Sequence, residues 1–479
     1  MIRLIALLLA LGLSPAIAQP TPVLGDSVQS YLARYETWLG TISEEDQSWD
    51  GLERLFAEVE TLIAKSALTD DPEDEHWEES AAFVRDHPEL VKQIAELSDR
   101  PHIGLPIEVL WTEDVIDVDA PPSMQISLPH LGMLVRSTRI LAVDAIIAES
   151  IGDRTRVLRD LRAIQQLAPR AIHANSMIEH LVAIALNSKL TELTLSDQLR
   201  LEEWDAKELA LLSEILDGIE VFKDAEKLTS FEHWGMHQLL DWLYQDSQDG
   251  RLTEAGATKF VIMIKRFDGM LEPVDQDPDE VSWWLMQLLI SNQVLPVGTL
   301  RDASDKFITA VRVDMNTEPW EMRSFRSDEL IDSWMSRGDL DLRYAPISVS
   351  APSFFKFYNR AVSAQAVDSA ARLLVELHRH RSEHGSFPAA LLDLDPELLG
   401  SGYIDPFSGS SLRYQFVDGH PMIYSVGPDR NDDDGDEMLD EFGDPKAWPQ
   451  FIPLDDLESM HAAERKAIDG DWILYPPAE

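Results

Sequence analysis

The residues best suited to chemistry lie near the C-terminus, where the run from Asp429 to Glu441 (DRNDDDGDEMLDE) holds eight carboxylates in thirteen positions. Asp429, Asn431 and Asp433 put oxygen donors at alternate positions, with later carboxylates at Asp436 and Asp440. A hard cation, which takes about six to eight oxygen ligands, suits such a set. Without a cation the like charges repel one another, and the loop is expected to be disordered. The run is not an EF-hand: in that register the sixth position is Asp434 and Gly435 falls one place late. Shifting the register to correct the glycine puts Arg430 in the first ligand position.

Two histidine groups invite a transition-metal reading. His233 and His237 stand one helical turn apart within Glu232-His233-Trp234-Gly235-Met236-His237, and His378, His380, Glu383 and His384 gather at a helix end. A zincin needs H-E-x-x-H, with the glutamate directly after the first histidine as general base. Here Trp234 follows His233, and Arg379 and Arg381 alternate with His378 and His380, where their charge opposes a divalent cation. The second group also fits the last turn of a helix, where cationic side chains complement the macrodipole. Neither group is therefore expected to bind zinc. The chain has no G-x-S-x-G elbow, no P-loop and no G-x-G-x-x-G after a strand. Carboxylate pairs are too common in so acidic a chain for their spacing to mark glycosidase chemistry. Were the chain a hydrolase-type enzyme with its site in the helical region, Glu232, His233 and His237 would be the candidates. A carbohydrate- or peptide-binding reading would use Trp234, Trp242, Trp283 and Trp284, although aromatic residues at helical spacing are usually core.

Composition narrows the partners. The 479 residues carry 86 acidic and 40 basic side chains, a net charge of -46, whereas a nucleic-acid or anionic-lipid binder needs clustered Lys and Arg to neutralise phosphates. With no cysteine, disulfides, thiolate catalysis, thiolate-ligated zinc and a lipid anchor on a first mature cysteine are all removed. Arg3, the apolar run from Leu4 to Leu13, and Ala16-Ile17-Ala18 before Gln19 read as a secretory signal peptide over 1–18. That run falls well short of the roughly 20 residues that span a bilayer. No later segment reaches that length without charges, so a secreted or periplasmic chain without a membrane span is expected.

The elements that position these residues are mostly helical. Apolar residues recur at i, i+3, i+4 and i+7, as in Leu52, Leu55, Phe56, Val59, Leu62 and Ile63, the stripe of a helix with one buried face. Helices are expected at about 27–39, 49–65, 78–85, 88–97, 131–151, 155–167, 174–192, 206–222, 233–244, 253–263, 281–290 and 304–315. The pair around Gly152-Asp153, ending at Ala168-Pro169, resembles a single tetratricopeptide hairpin. No second copy follows at the right period, and an array needs roughly three repeats, which leaves a lone helical hairpin. The tail differs. A small-residue helix over 361–384 runs into Gly385, a turn follows at Asp405-Pro406-Phe407-Ser408-Gly409, and Leu412 to Phe416 and Met422 to Val426 alternate as strands about Asp418-Gly419.

The order of helix, His384-Gly385-Ser386-Phe387-Pro388, the Asp405-to-Gly409 turn, Leu412-Arg413-Tyr414 and Tyr424-Ser425-Val426-Gly427-Pro428-Asp429 resembles the globular part of the type II secretion major pseudopilin. The resemblance covers about 360 to 440 and extends to the tails of bacterial secreted proteins. It implies that the loop from Asp429 binds calcium. The prepilin peptidase site and apolar pilin helix are missing, so the resemblance implies the module's fold rather than assembly into a pseudopilus. The expected fold is mainly α: an irregular helical bundle or hairpin array over 19–345, then a small α+β module over 346–479, a long helix plus an antiparallel β meander. The expected function is a non-enzymatic secreted or periplasmic envelope or extracellular protein, with a calcium-binding module, that contacts other envelope or secreted proteins.

Overall fold

The computed structural model describes residues 19–476 except 64–67, 112–119, 220–223, 272–279, 337–338, 341, 352–353, 395–402, 418, 441 and 447. The expected signal peptide, Asp418 of the hairpin turn and Glu441 lie outside the described residues.

The fold is mainly helical, with a small antiparallel sheet near the C-terminus. The first helices are α1 (Val28–Leu39), α2 (Trp49–Ile63), α3 (Trp77–Asp86) and α4 (Pro88–Ser98). The longest hairpin comes next, α5 (His130–Ser150) and α6 (Arg154–Arg170). Gly152, at φ +75°, takes the left-handed conformation that reverses the chain, and the Asp153 side chain accepts from the Arg156 amide at 3.2 Å to start α6. Val157, Leu161, Ile164 and Leu167 then bury one stripe of that helix. Pro169 falls inside the last turn of α6 rather than stopping it.

Next come α7 (Met177–Leu195) and α8 (Ala206–Asp217), both opened by capping boxes, Ser176 with Glu179 and Asp205 with Glu208. After them run α9 (Ser230–Tyr244), α10 (Glu254–Leu271), α11 (Glu280–Gln293), α12 (Val297–Met315) and α13 (Arg326–Trp334). The helix α14 (Phe354–His384) starts two turns before the small-residue run that marks it in the sequence. Its 31 residues span about 46 Å at 1.5 Å rise per residue. Ala361, Ala364, Ala366, Ala370 and Ala371 are buried along it, and such short side chains let α7 and α8 pack closely against its backbone.

The tail sheet has three strands, β1 (Arg413–Val417), β2 (His420–Ser425) and β3 (Trp472–Tyr475), in the order β1-β2-β3. Tyr414 pairs with Ile423, and Tyr424 with Ile473. The first two strands form the expected meander, and β3 extends it. Two-residue strands at Met335–Ser336 and Asp339–Leu340 also pair. One hydrophobic core runs from α1 through α14 into Phe407, Phe451 and Trp472 of the tail. Gly409 joins the two parts: it has φ +71°, and a Cβ there would stand 2.7 Å from the Trp320 ring. Among the described residues no helix is long and apolar enough to cross a membrane.

Candidate metal centre

The acidic loop hangs from one buried carboxylate. Asp405 is fully buried, and its two oxygens accept from Phe407 N at 3.0 Å, Ser408 Oγ at 3.1 Å, Ser425 Oγ at 2.8 Å and Val426 N at 3.1 Å. The turn after Tyr403 is thereby tied to the end of β2, which fixes the point where the loop leaves the sheet. Burial raises the Asp405 pKa, and the hydrogen bonds oppose that shift.

Beyond that point the loop folds back on the segment preceding β3. Asp471 N donates to Asp436 O at 2.7 Å and Met438 N to Asp471 O at 2.9 Å. Asp469 and Asp471, about forty residues from the start of the loop, are thus drawn to it. Oxygens of Asp429, Asp433 and Asp469 lie within 4.8 Å of one another. Beside them Asp471 has no exposed surface. Its Oδ2 accepts from Asp433 N at 3.1 Å and Gly435 N at 2.7 Å, while its Oδ1, like Asp433 Oδ2, is buried with no hydrogen-bond partner. Burial pushes the pKa of Asp429 up to about 6, with the charges of Asp433 and Asp469 adding to the rise. Burial also takes Asp471 to about 6, helped by Asp432 and Asp433. Oxygens so placed, short of partners and repelling one another, form a set that a hard cation neutralises.

The expected ligands divide. Asp429 and Asp433 meet. Asn431 directs its amide nitrogen at Asp433 Oδ1, 2.5 Å away, so a half-turn of the amide would be needed to offer its oxygen. Asp436 is exposed and joins the loop through its backbone. Asp440 closes a turn of its own, accepting from Phe442 N at 2.8 Å and Asp444 N at 3.0 Å. Arg430, at φ +63°, turns away from the carboxylates to donate to the carbonyls of Trp320 at 2.9 Å and Ile452 at 3.2 Å. Asp469 and Asp471 lie outside any continuous ligand run. Their one signal was a pair of acids at alternate positions just before the apolar stretch Trp472-Ile473-Leu474-Tyr475.

The histidines also divide. His378 is buried edge-on to Phe387, ring centres 5.2 Å apart, whereas His380 and His384 stack on each other in the exposed last turn of α14. Burial, then Arg381, lowers the His378 pKa to about 4. Folded His378 therefore stays neutral while the unfolded chain takes up a proton near pH 6.5, so its contribution weakens stability as pH falls from about 6.5 to 4. His378→Leu should accordingly shrink the loss of melting temperature between pH ~7 and ~4.5. An unchanged loss would show that the imbalance lies elsewhere.

On α9, Glu232 points away from its neighbours, its Oε1 accepting from Met177 N at 2.5 Å, and burial raises its pKa to about 8. His233 and His237 instead reach α12, where both Nε2 atoms contact Asp305 Oδ1, at 2.8 and 2.9 Å. Trp234 and Trp242 are core residues; the side chains of Trp283 and Trp284 lie outside the described residues. A cleft of about 820 Å³ opens between α6, α7, α12 and α14. His180, Asn187, Lys227, Asp368 and Arg372 are among its lining residues, and none of Glu232, His233 and His237 is. His180 Nε2, Asn187 Oδ1 and Asp368 Oδ1 are buried there without partners.

No known protein family matches this chain, and neither a curated protein nor a solved structure does.

Proposed function

We propose that this chain is a secreted or periplasmic, non-enzymatic envelope or extracellular protein whose C-terminal module is clasped by calcium and contacts other envelope or secreted proteins. The observation that carries the calcium reading is the convergence of Asp429, Asp433 and Asp469 beside buried Asp471, whose Oδ1 has no partner. Oxygen-only donors favour a hard cation over a transition metal, and irregular spacing suits calcium better than magnesium, which demands near-octahedral geometry. Export is supported by the signal-like pattern over 1–18. Protein contact is supported by apolar side chains left exposed on the tail, Leu392, Phe416, Val417 and Phe442 among them.

Calcium that binds only the folded chain should stabilise it by about 2.7 kcal/mol at a hundredfold excess over Kd. The melting temperature of the full chain should therefore rise in millimolar calcium, and rise less in magnesium. Asp433→Ala combined with Asp469→Ala should abolish the calcium effect. An equal response to calcium, magnesium and monovalent salt at matched ionic strength would mean charge screening, and the site would be withdrawn.

A further inference from the structure

Zinc at His233 and His237 is disfavoured in the sequence by the missing glutamate of H-E-x-x-H, a criterion that concerns α9 alone. The fold supplies a third group from another helix. His233 and His237 occupy successive turns of α9, so their imidazoles lie on one face, and α12 packs against that face. Asp305 on α12 then brings Oδ1 to 2.8 Å from His233 Nε2 and 2.9 Å from His237 Nε2. Both histidine side chains keep 13 % of their surface, and Asp305 keeps 48 %. The two nitrogens and the carboxylate are thus half-enclosed, with one side open to water.

We infer that His233, His237 and Asp305 form a three-ligand site for a zinc-type divalent transition metal, with a coordination position open to solvent. Two imidazole nitrogens and one carboxylate oxygen are donors that zinc and its first-row neighbours accept, and calcium and magnesium do not favour imidazole. With metal–ligand bonds of about 2.0 to 2.2 Å, tetrahedral ligands stand roughly 3.3 Å apart, so the two His–Asp contacts need to open by only about half an ångström. The three ligands come from helices locked in the core by Trp234, Met236, Phe307 and Ile308, so little ordering is left for the metal to impose. The site is independent of the acidic loop: its donors are nitrogen-rich and sit on α9 and α12.

The test uses the full chain, stripped with chelator and titrated with zinc and with cobalt. One equivalent should bind, and bound cobalt should show the visible absorption of a low-coordinate N/O site. Asp305→Asn keeps an oxygen able to accept both imidazole N–H bonds, so a purely structural contact would survive it. Metal affinity, in contrast, should fall by more than the roughly 10–100-fold that loss of an outer-shell partner costs, as it should in His237→Ala. Asp433→Ala with Asp469→Ala should leave the zinc affinity unchanged. The inference is overturned if no equivalent binds, if Asp305→Asn and His237→Ala bind zinc like the parent, or if the acidic-loop variant is the one that loses it. Circular dichroism of Asp305→Asn confirms that any loss belongs to the site and not to the fold.

Discussion

Asp405→Ala is expected to destabilise the tail by about 2–6 kcal/mol. The substitution strands Phe407 N and Val426 N, two buried amides that each carry a penalty of roughly 1–3 kcal/mol when left unsatisfied. It also removes the acceptor of Ser408 Oγ and Ser425 Oγ. Because the acidic loop leaves the sheet directly after Val426, the same variant should lose the calcium response without any change to a carboxylate of the cluster. Asp405→Asn keeps one acceptor oxygen and should fall between the two. Urea unfolding of the full chain measures the loss, and one below about 1 kcal/mol would mean that the turn is held by something other than this carboxylate.

Leu374→Ala should cost about 2–5 kcal/mol, the usual loss for a buried leucine. Leu374 is 1 % exposed about two-thirds of the way along α14, the helix that packs on α7 and α8 and also meets β2 and β3. Tail and helical body should therefore lose stability together, as one shifted transition seen alike by far-UV circular dichroism and tryptophan fluorescence. Two transitions of which only one moves would contradict the shared core.

A period of 3.6 needs no knowledge of the partner, which made α6 legible from its one buried stripe; α5 is buried without a break from Ile140 to Ile146, yet it and α9 also fall within a few residues of their expected spans. The first tail hairpin was legible for the same local reason, through alternation on either side of Gly419. Strand β3 was not, because Trp472-Ile473-Leu474-Tyr475 is four apolar residues with no period, and only its pairing with β2 makes it a strand. Half of the acidic site was readable for its local spacing, Asp429 and Asp433. Asp469 and Asp471 depend on a chain return that their alternate spacing before Trp472 does not reveal, and Asp305 depends on the packing of α12 against α9. Arg430, troublesome as a ligand in one register, points to the carbonyls of Trp320 in the helical body and Ile452 in the tail, a direction no spacing rule supplies.

The position of α14 in the chain has a consequence for how the protein is made. Synthesis runs from the N-terminus, so α7 and α8 emerge more than about a hundred residues before the helix that covers their apolar faces. Until the segment from Phe354 to His384 arrives, those faces stay wet and available to any other apolar surface, and closing so long a loop is slow. A product terminated before α14 is therefore expected to keep those faces exposed and to be cut by protease sooner than the full chain.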